Sequence, residues 1–261
     1  MPATPDLTAL ARELIDAGET RDPVEPLTDR YPDLSIEDAY GIQLAIVEHR
    51  IAQGSKVVGK KIGLSGKAMQ KLLGVNEPDY GHLFDDMIVP AGQPVAFDSL
   101  LQPRCEAEIA FILGDDLTGP GVTVADVLAA TDGVMPALEI VDSRVRDWKI
   151  KLEDTVADNG SSARIVLGGA ITPVIELDLR LIGMLFSQNG RMVGSGAGAE
   201  ALGHPAASVA WLANKLAEFD ITLQAGEIIL SGSLAGAPFA AKGDVFVVEF
   251  DRLGTVSVGF E

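Results

Sequence analysis

Cysteine occurs once in the 261 residues, at Cys105, which excludes an internal disulfide framework and any cysteine-rich zinc site. Histidine is nearly as scarce. His49, His82 and His204 stand far apart and form neither an HExxH nor an HxH pattern, so a zinc hydrolase has no signature here. No GxSxG motif is present either. Positive charge is in short supply: 20 Lys and Arg face 38 Asp and Glu, a net charge of −18. A surface that acidic repels phosphate backbones, and no nucleic-acid partner is expected. Although mean hydropathy is +0.24, no apolar run approaches the roughly 18 residues a membrane span needs. The stretch from Met1 to Pro23 lacks the basic and apolar regions of a signal peptide, so a soluble, cytoplasmic protein is expected.

Apolar side chains, by contrast, make up 47% of the chain, enough for a sizeable core in one large domain or two small ones. Leu7, Leu10, Ala11 and Leu14 recur at helical spacing, with Gly18 as a stop. Pro23, Pro26 and Pro32 then predict an extended connection. Ser35 followed by Asp38 reads as a helix start, and Ala39, Ile42, Ile46, Val47 and Ile51 form one apolar face that ends at Gly54. Residues 1–54 are therefore expected to form a small helical region, and residues 55–261 a β-rich one. Strand-length apolar segments cover Lys56–Leu64, Arg104–Leu113, Met135–Val141, Arg164–Leu167, Gly183–Ser187, Ile228–Ser231 and Val245–Phe250. Asn189-Gly190 predicts a two-residue hairpin turn. Only two helices are expected in this part, over Thr123–Thr131 and after His204-Pro205. The class is α+β, with a mostly antiparallel sheet.

Two apolar strands carry carboxylates. Alternation from Arg104 to Leu113 puts Cys105, Ala107, Ile109, Phe111 and Leu113 on a core face, and Glu106 and Glu108 on the other with Ala110 and Ile112. A solvated face would not turn apolar in that way, although an exposed strand end with ordinary surface glutamates is the plain alternative. Glu139 lies inside the apolar run Met135–Val141, where it must be paired, protonated or bound to a metal. Three carboxylates without a histidine pair suit a hard divalent ion, Mg²⁺ or Mn²⁺, with Glu106, Glu108 and Glu139 as ligands. Cys105, on the core face, reads as an inert small hydrophobe. Gly194–Ala199 contains a GxGxxA spacing, but it follows a hairpin and Asp220 ends a helix, so a dinucleotide site is rejected.

These segments and their neighbours resemble the 2-keto-4-pentenoate hydratase (2-hydroxypenta-2,4-dienoate hydratase) family of the fumarylacetoacetate hydrolase superfamily, over almost the whole chain. The resemblance rests on Gly59-Lys60-Lys61-Ile62-Gly63-Leu64, Glu77-Pro78-Asp79-Tyr80-Gly81, Glu106-Ala107-Glu108 and the run from Pro136 to Arg144. It continues in Asp154-Thr155-Val156-Ala157-Asp158-Asn159 and Gly196-Ala197-Gly198. It implies a fumarylacetoacetate hydrolase-like β-roll with an N-terminal helical region, a Mg²⁺ or Mn²⁺ site on the same three glutamates, and a homo-oligomer, pentameric or decameric. Ser65-Gly66 and Gly160 depart from the family's usual Thr-Ser and Ala, small-for-small changes in loops.

The implied substrate is a 2-hydroxy-dienoate or 2-oxo acid that chelates the metal, and the implied product of hydration is 4-hydroxy-2-oxopentanoate, in aromatic or steroid meta-cleavage catabolism. Lys61 is the candidate cation for the substrate oxygen, since alternation sets it with Gly59 and Gly63, leaving room for a ligand; a solvated strand lysine is the alternative. Asp79 is the candidate acid/base or water-orienting group, or else a turn residue after Pro78. Ser161 is a candidate substrate hydrogen-bonding group or a turn residue, and Asp142 with Arg144 is expected either to form a structural ion pair or to support the metal's ligands from behind. The closest alternative activity is 4-oxalocrotonate decarboxylation, where related enzymes carry an apolar residue at the Asp79 position. C–C bond hydrolysis would need a histidine–carboxylate pair. A decarboxylase of the same pathway is a further implied partner.

Overall fold

The computed structural model describes residues 5–67, 70–71, 74–90 and 92–261; Met1–Thr4, the first residues of the stretch read against a signal peptide, lie outside them. Helix α1 (Leu7–Thr20) starts on Asp6, whose carboxylate accepts the Ala9 N–H, and α3 (Ile36–Ala52) starts on a reciprocal Ser35–Asp38 capping box. Between them the proline-flanked segment is not wholly extended, because Leu27–Arg30 forms one helical turn, α2. The Asp154 carboxylate holds that turn by accepting from the Thr28 N–H and hydroxyl.

Among the described residues ten strands make two sheets. They are β1 (Val57–Gly63), β2 (Asp79–Phe84), β3 (Arg104–Leu113), β4 (Thr131–Val141), β5 (Ser162–Leu167), β6 (Gly183–Gln188), β7 (Arg191–Ala197), β8 (Ile228–Leu230), β9 (Val245–Phe250) and β10 (Gly254–Gly259). The larger sheet has the order β2-β1-β8-β3-β4-β5, antiparallel except for the β1–β8 pair, and the smaller has the order β10-β9-β6-β7. Isolated bridges such as Ile88 to Ile165 and Val95 to Phe260 link the loops to the sheet edges and complete a curled, mixed α+β fold. Asn189 and Gly190 turn the β6–β7 hairpin with φ of 53° and 74°, as the Asn-Gly pair predicts.

Helices α4 (Val124–Ala129) and α6 (Pro205–Leu216) pack on each other, and a further helix, α5 (Leu152–Ala157), packs on α3. Sequence reading missed α5, β2 and β10. It also ran α4 too far, because Thr131 already begins β4. No helix among the described residues is long and apolar enough to cross a membrane.

The two faces of the large sheet explain where a site can form. Cys105, Ala107, Ile109, Phe111 and Leu113 enter the main core, each worth roughly 1–3 kcal/mol of burial for the larger side chains. The opposite face supports a smaller apolar cluster that includes Ala110, Ala137, Ile165, Leu230, Leu83, Phe84 and Met87. Glu106, Glu108 and Glu139 continue that second face beyond its apolar end.

Candidate metal centre and active site

Strand register builds the centre. Glu106 on β3 lies directly opposite Glu139 on β4, and Glu108 lies opposite Ala137. Directly opposed residues have Cβ atoms about 5 Å apart, an arrangement that like charges destabilise. One oxygen from each of Glu106, Glu108 and Glu139 falls within 4.8 Å of the others. At that separation each charged pair repels by on the order of 3 kcal/mol with an effective dielectric constant near 20. Glu108 and Glu139 are fully buried, while Glu106 is partly exposed. The surface-glutamate alternative therefore fails for Glu108, while Glu106 keeps partial exposure.

Compensation from the protein is incomplete. The Gly232 N–H donates to Glu108 Oε2 at 2.7 Å, but Glu108 Oε1 and both Glu139 oxygens have no hydrogen-bond partner. Lys61 Nζ stands 3.3 Å from Glu139 Oε2 and donates to the Gly160 carbonyl at 3.1 Å. Burial opposes the Lys61 charge, yet Glu139, Glu106, Asp79 and Glu108 together hold its pKa above the ordinary lysine value. Burial also pushes Glu106 up to about 7, helped by Glu139 and Asp79 and opposed by Lys61. Glu108 is driven well above the ordinary carboxylate range by burial and by Glu139 and Glu106. Buried carboxylate oxygens without donors, close enough to share one ion, are what a hard divalent cation would satisfy. Glu106, Glu108 and Glu139 fit such a cation.

Lys60 and Lys61 are both about 3% exposed, so neither is a solvated strand lysine. Lys60 points away and pairs with Glu227 at 2.9 Å, leaving Lys61 for the carboxylates. The space beside Lys61 is not left for a ligand in the way its glycine neighbours suggested. A Cβ on Gly59 would strike the Ile228 carbonyl, and one on Gly63 would sit 1.9 Å from Asp79 Oδ1. Gly63 thus admits Asp79 itself, which is 2% exposed, lies in β2 rather than in a turn, and has Oδ1 unpartnered. Its pKa is raised by burial, with Lys61 opposing and Glu139 reinforcing.

Ser161 ends a short helical turn, Asn159–Ser161, and its hydroxyl donates to Asp158 Oδ2 at 2.9 Å. Gly160 in that turn has φ +60°, and its carbonyl is the one Lys61 holds. The expected Asp142–Arg144 ion pair does not form among the described residues. Arg144 pairs with buried Asp158, and the Asp142 carboxylate instead accepts the Leu101 and Gln102 N–H groups. Cys105 is fully buried, and burial raises its thiol pKa, in keeping with an inert role. His82 has Nδ1 3.1 Å from Gln43 Oε1, so it serves the α3–β2 contact and not the carboxylates. Sequence reading overlooked Gly232 and noted Gly160 only as a small-for-small loop change; both contribute backbone groups, signalled locally by no more than small residues after β8 and in the Asp158–Ser161 turn.

The fold and the site together define a class: a curled, mixed α+β roll with a buried carboxylate cluster that fits a divalent cation. The fumarylacetoacetate (FAA) hydrolase C-terminal family matches residues 40–260, and the chain belongs to that family. It is 49% identical over 251 residues to 2-hydroxyhexa-2,4-dienoate hydratase of Comamonas testosteroni, covering 95% of each chain. It is 52% identical over 216 residues to 2-hydroxypent-2,4-dienoate hydratase of Pseudomonas putida, covering 82% of this chain and 97% of the relative. Among solved structures, 4-oxalocrotonate decarboxylase from Pseudomonas putida G7, complexed with magnesium and adipate, superposes with a TM-score of 0.95 at 40% identity, covering 98% of this chain and 97% of that one.

Proposed function

We propose that this chain is a hydro-lyase that adds water to 2-hydroxypenta-2,4-dienoate, giving 4-hydroxy-2-oxopentanoate in aromatic or steroid meta-cleavage catabolism. One observation carries the choice of hydration: Asp79 is a buried carboxylate with a free oxygen, set against Gly63 and within the field of Lys61 and Glu139. Glu106, Glu108 and Glu139 are the residues that would hold Mg²⁺ or Mn²⁺. When bound, the ion would supply Lewis acidity that stabilises negative charge on the substrate 2-oxygen.

The reaction has two halves. The 2-hydroxyl proton leaves as C5 gains one, converting the dienol to 2-oxopent-3-enoate. Water then bonds to C4 through oxygen while C3 takes a proton. Lys61 donates a hydrogen bond toward the substrate 2-oxygen, held in place by Glu139 and the Gly160 carbonyl. Asp79, whose pKa burial raises above the ordinary carboxylate value, exchanges a proton and orients water toward C4. Ser161 braces the turn that positions Gly160, and its oxygen keeps acceptor capacity for substrate. The enzyme acts in the cytoplasm as a pentamer or decamer, with a decarboxylase of the same pathway as a further partner.

Decarboxylation is the second reading, favoured by the 0.95 TM-score to a decarboxylase. Asp79 counts against it, because loss of CO₂ requires no group that handles water. C–C hydrolysis lacks its histidine, since His82 is engaged by Gln43. A spectrophotometric assay with 2-hydroxypenta-2,4-dienoate, with and without Mg²⁺ or Mn²⁺, tests the choice. Metal-dependent loss of the dienol absorbance with appearance of 4-hydroxy-2-oxopentanoate is expected. Release of CO₂ from 2-oxohex-3-enedioate, with no hydration of the dienol, would overturn it.

A further inference from the structure

Burial along the carboxylate face of β3 decreases toward one end. Glu108 is fully buried, Glu106 is partly exposed, and Arg104, on the same face one step further out, is partly exposed beside a Phe239 that is 54% exposed. The strand registers put Asp79 at the deep end. Lys61 is level with Leu230, Leu230 with Ala110, and Gly63, next on the Lys61 face, pairs with Asp79. The site therefore opens past Glu106 toward Arg104.

Arg104 is held but not neutralised. An antiparallel bridge between Arg104 and Phe239 brings that ring 3.9 Å from the guanidinium carbon, and Trp148 lies 4.6 Å away on the same cation. Trp148 is itself anchored, its indole N–H donating to the Gln102 carbonyl at 2.9 Å, and its φ of +56° is a left-handed strain that the surroundings maintain. Among the described residues Arg104 makes no ion pair, and its Nε is buried without a hydrogen-bond partner. A guanidinium placed in this way ordinarily uses its fork on a carboxylate. Glu106, next to Arg104 on the same strand face, is a carboxylate that the metal cluster requires. Lys61, the other cation at the site, is held by Glu139 and Gly160 and serves the substrate 2-oxygen, which leaves the substrate carboxylate for Arg104.

Net charge sharpens the need for such a group. A chain of −18 repels an anionic substrate at long range, and a cation at the mouth reverses the local field where the substrate enters. From Glu108 to Arg104 the strand advances about 13 Å, a span that a five-carbon acid and an extended arginine can bridge together. We propose that Arg104, clamped between Phe239 and Trp148, docks the carboxylate end of the substrate at the mouth, with the reacting C4 and C5 directed inward to Asp79. The inward orientation rests on the hydratase reading; the docking of a carboxylate does not.

The test uses the full-length, Mg²⁺-loaded protein and 2-oxopentanoate, a 2-oxo acid that lacks the reacting double bonds. Calorimetry should find its affinity weakened roughly 10–100-fold in Arg104→Met, with partial recovery in Arg104→Lys. Mg²⁺ affinity measured without the acid should change only a few-fold. With the dienol, KM should rise by more than kcat falls, and the salt dependence of kcat/KM should flatten in Arg104→Met. Phe239→Leu, at an exposed position where folding should survive, should weaken 2-oxopentanoate binding by a smaller factor. Wild-type affinity in folded Arg104→Met, or in Phe239→Leu should Arg104→Met not fold, overturns the docking role. So does a wild-type protein that binds no 2-oxopentanoate. If the wild type binds 2-oxopentanoate through Arg104 but does not hydrate the dienol, the hydratase reading fails and the docking role stands.

Discussion

The three glutamates of the centre are individually unfavourable and collectively useful. Oxygens within 4.8 Å of one another, with one lysine to offset them, leave the apo site overloaded with negative charge. Replacing Glu106, Glu108 or Glu139 by Gln removes a ligand charge and also relieves repulsion. Each variant should therefore keep or raise the melting temperature without metal, while the rise on adding Mg²⁺ shrinks and most turnover disappears. Thermal melts with and without Mg²⁺ check this; an unchanged metal response in all three variants would remove the site. Asp79→Asn separates water chemistry from metal binding. The amide keeps the shape against Gly63 but cannot take a proton, so kcat should fall roughly 10²–10⁴-fold with little change in metal affinity. Deuterium incorporation at C5 should persist while the 4-hydroxy product lags. Hydration at the wild-type rate would reduce Asp79 to a strand residue. The shared face of Glu106 and Glu108 was legible because alternation in a strand is local. The position of Asp79 was not, since its pocket is made by the absent side chain of Gly63 on another strand.

At the scale of elements, β3 and β4 were readable from periodicity and β2 was not. Asp79–Phe84 contains a glycine and two polar residues, and it forms an edge of the large sheet, yet all six residues are buried. Its free edge is closed by a side chain: the Asn159 amide accepts the His82 N–H and donates to the His82 carbonyl, taking the place of a neighbouring strand. On the helical side Gln43 donates to the Tyr80 and Val156 carbonyls and faces His82, so one glutamine joins α3, β2 and α5. Burial, reinforced by the Lys60 charge, lowers the His82 pKa to about 4. The folded protein keeps His82 neutral, whereas the unfolded chain takes up a proton below about pH 6.5. This contribution is complete above pH 6.5 and is lost as pH falls toward 4, amounting to on the order of 3 kcal/mol. Urea unfolding of His82→Gln should show less stability than wild type at pH 7 and a smaller loss between pH 6.5 and 4.5. An identical pH slope in the two proteins would mean that His82 already protonates freely in the fold.

For the whole molecule, a net charge of −18 sets a limit on self-association, because like surfaces must meet where charge is sparse. The smaller sheet exposes Leu185, Met192 and Val193 on β6 and β7, with the exposed Glu249 opposite Leu185. If the chain assembles as the proposed pentamer or decamer, sedimentation equilibrium should give five or ten times 27.4 kDa, and the assembly should tighten as salt screens the charge. A monomer at every salt concentration would exclude that assembly. By itself the sequence determined the acidic composition, the single cysteine that forbids an internal disulfide, the α+β class and the faces of β3 and β4, because composition and period-two alternation are properties of a chain before it folds. Only the tertiary structure decided which charges meet. Lys61 reaches Glu139 while Lys60 turns to Glu227, Arg144 takes Asp158 in place of Asp142, and Gly232 lends its N–H to Glu108. Those meetings depend on the strand order β2-β1-β8-β3-β4-β5, in which β8, late in the chain, inserts between β1 and β3. Alternation tells a side chain which face to take, but the partner across the sheet follows from long-range pairing that no local pattern encodes.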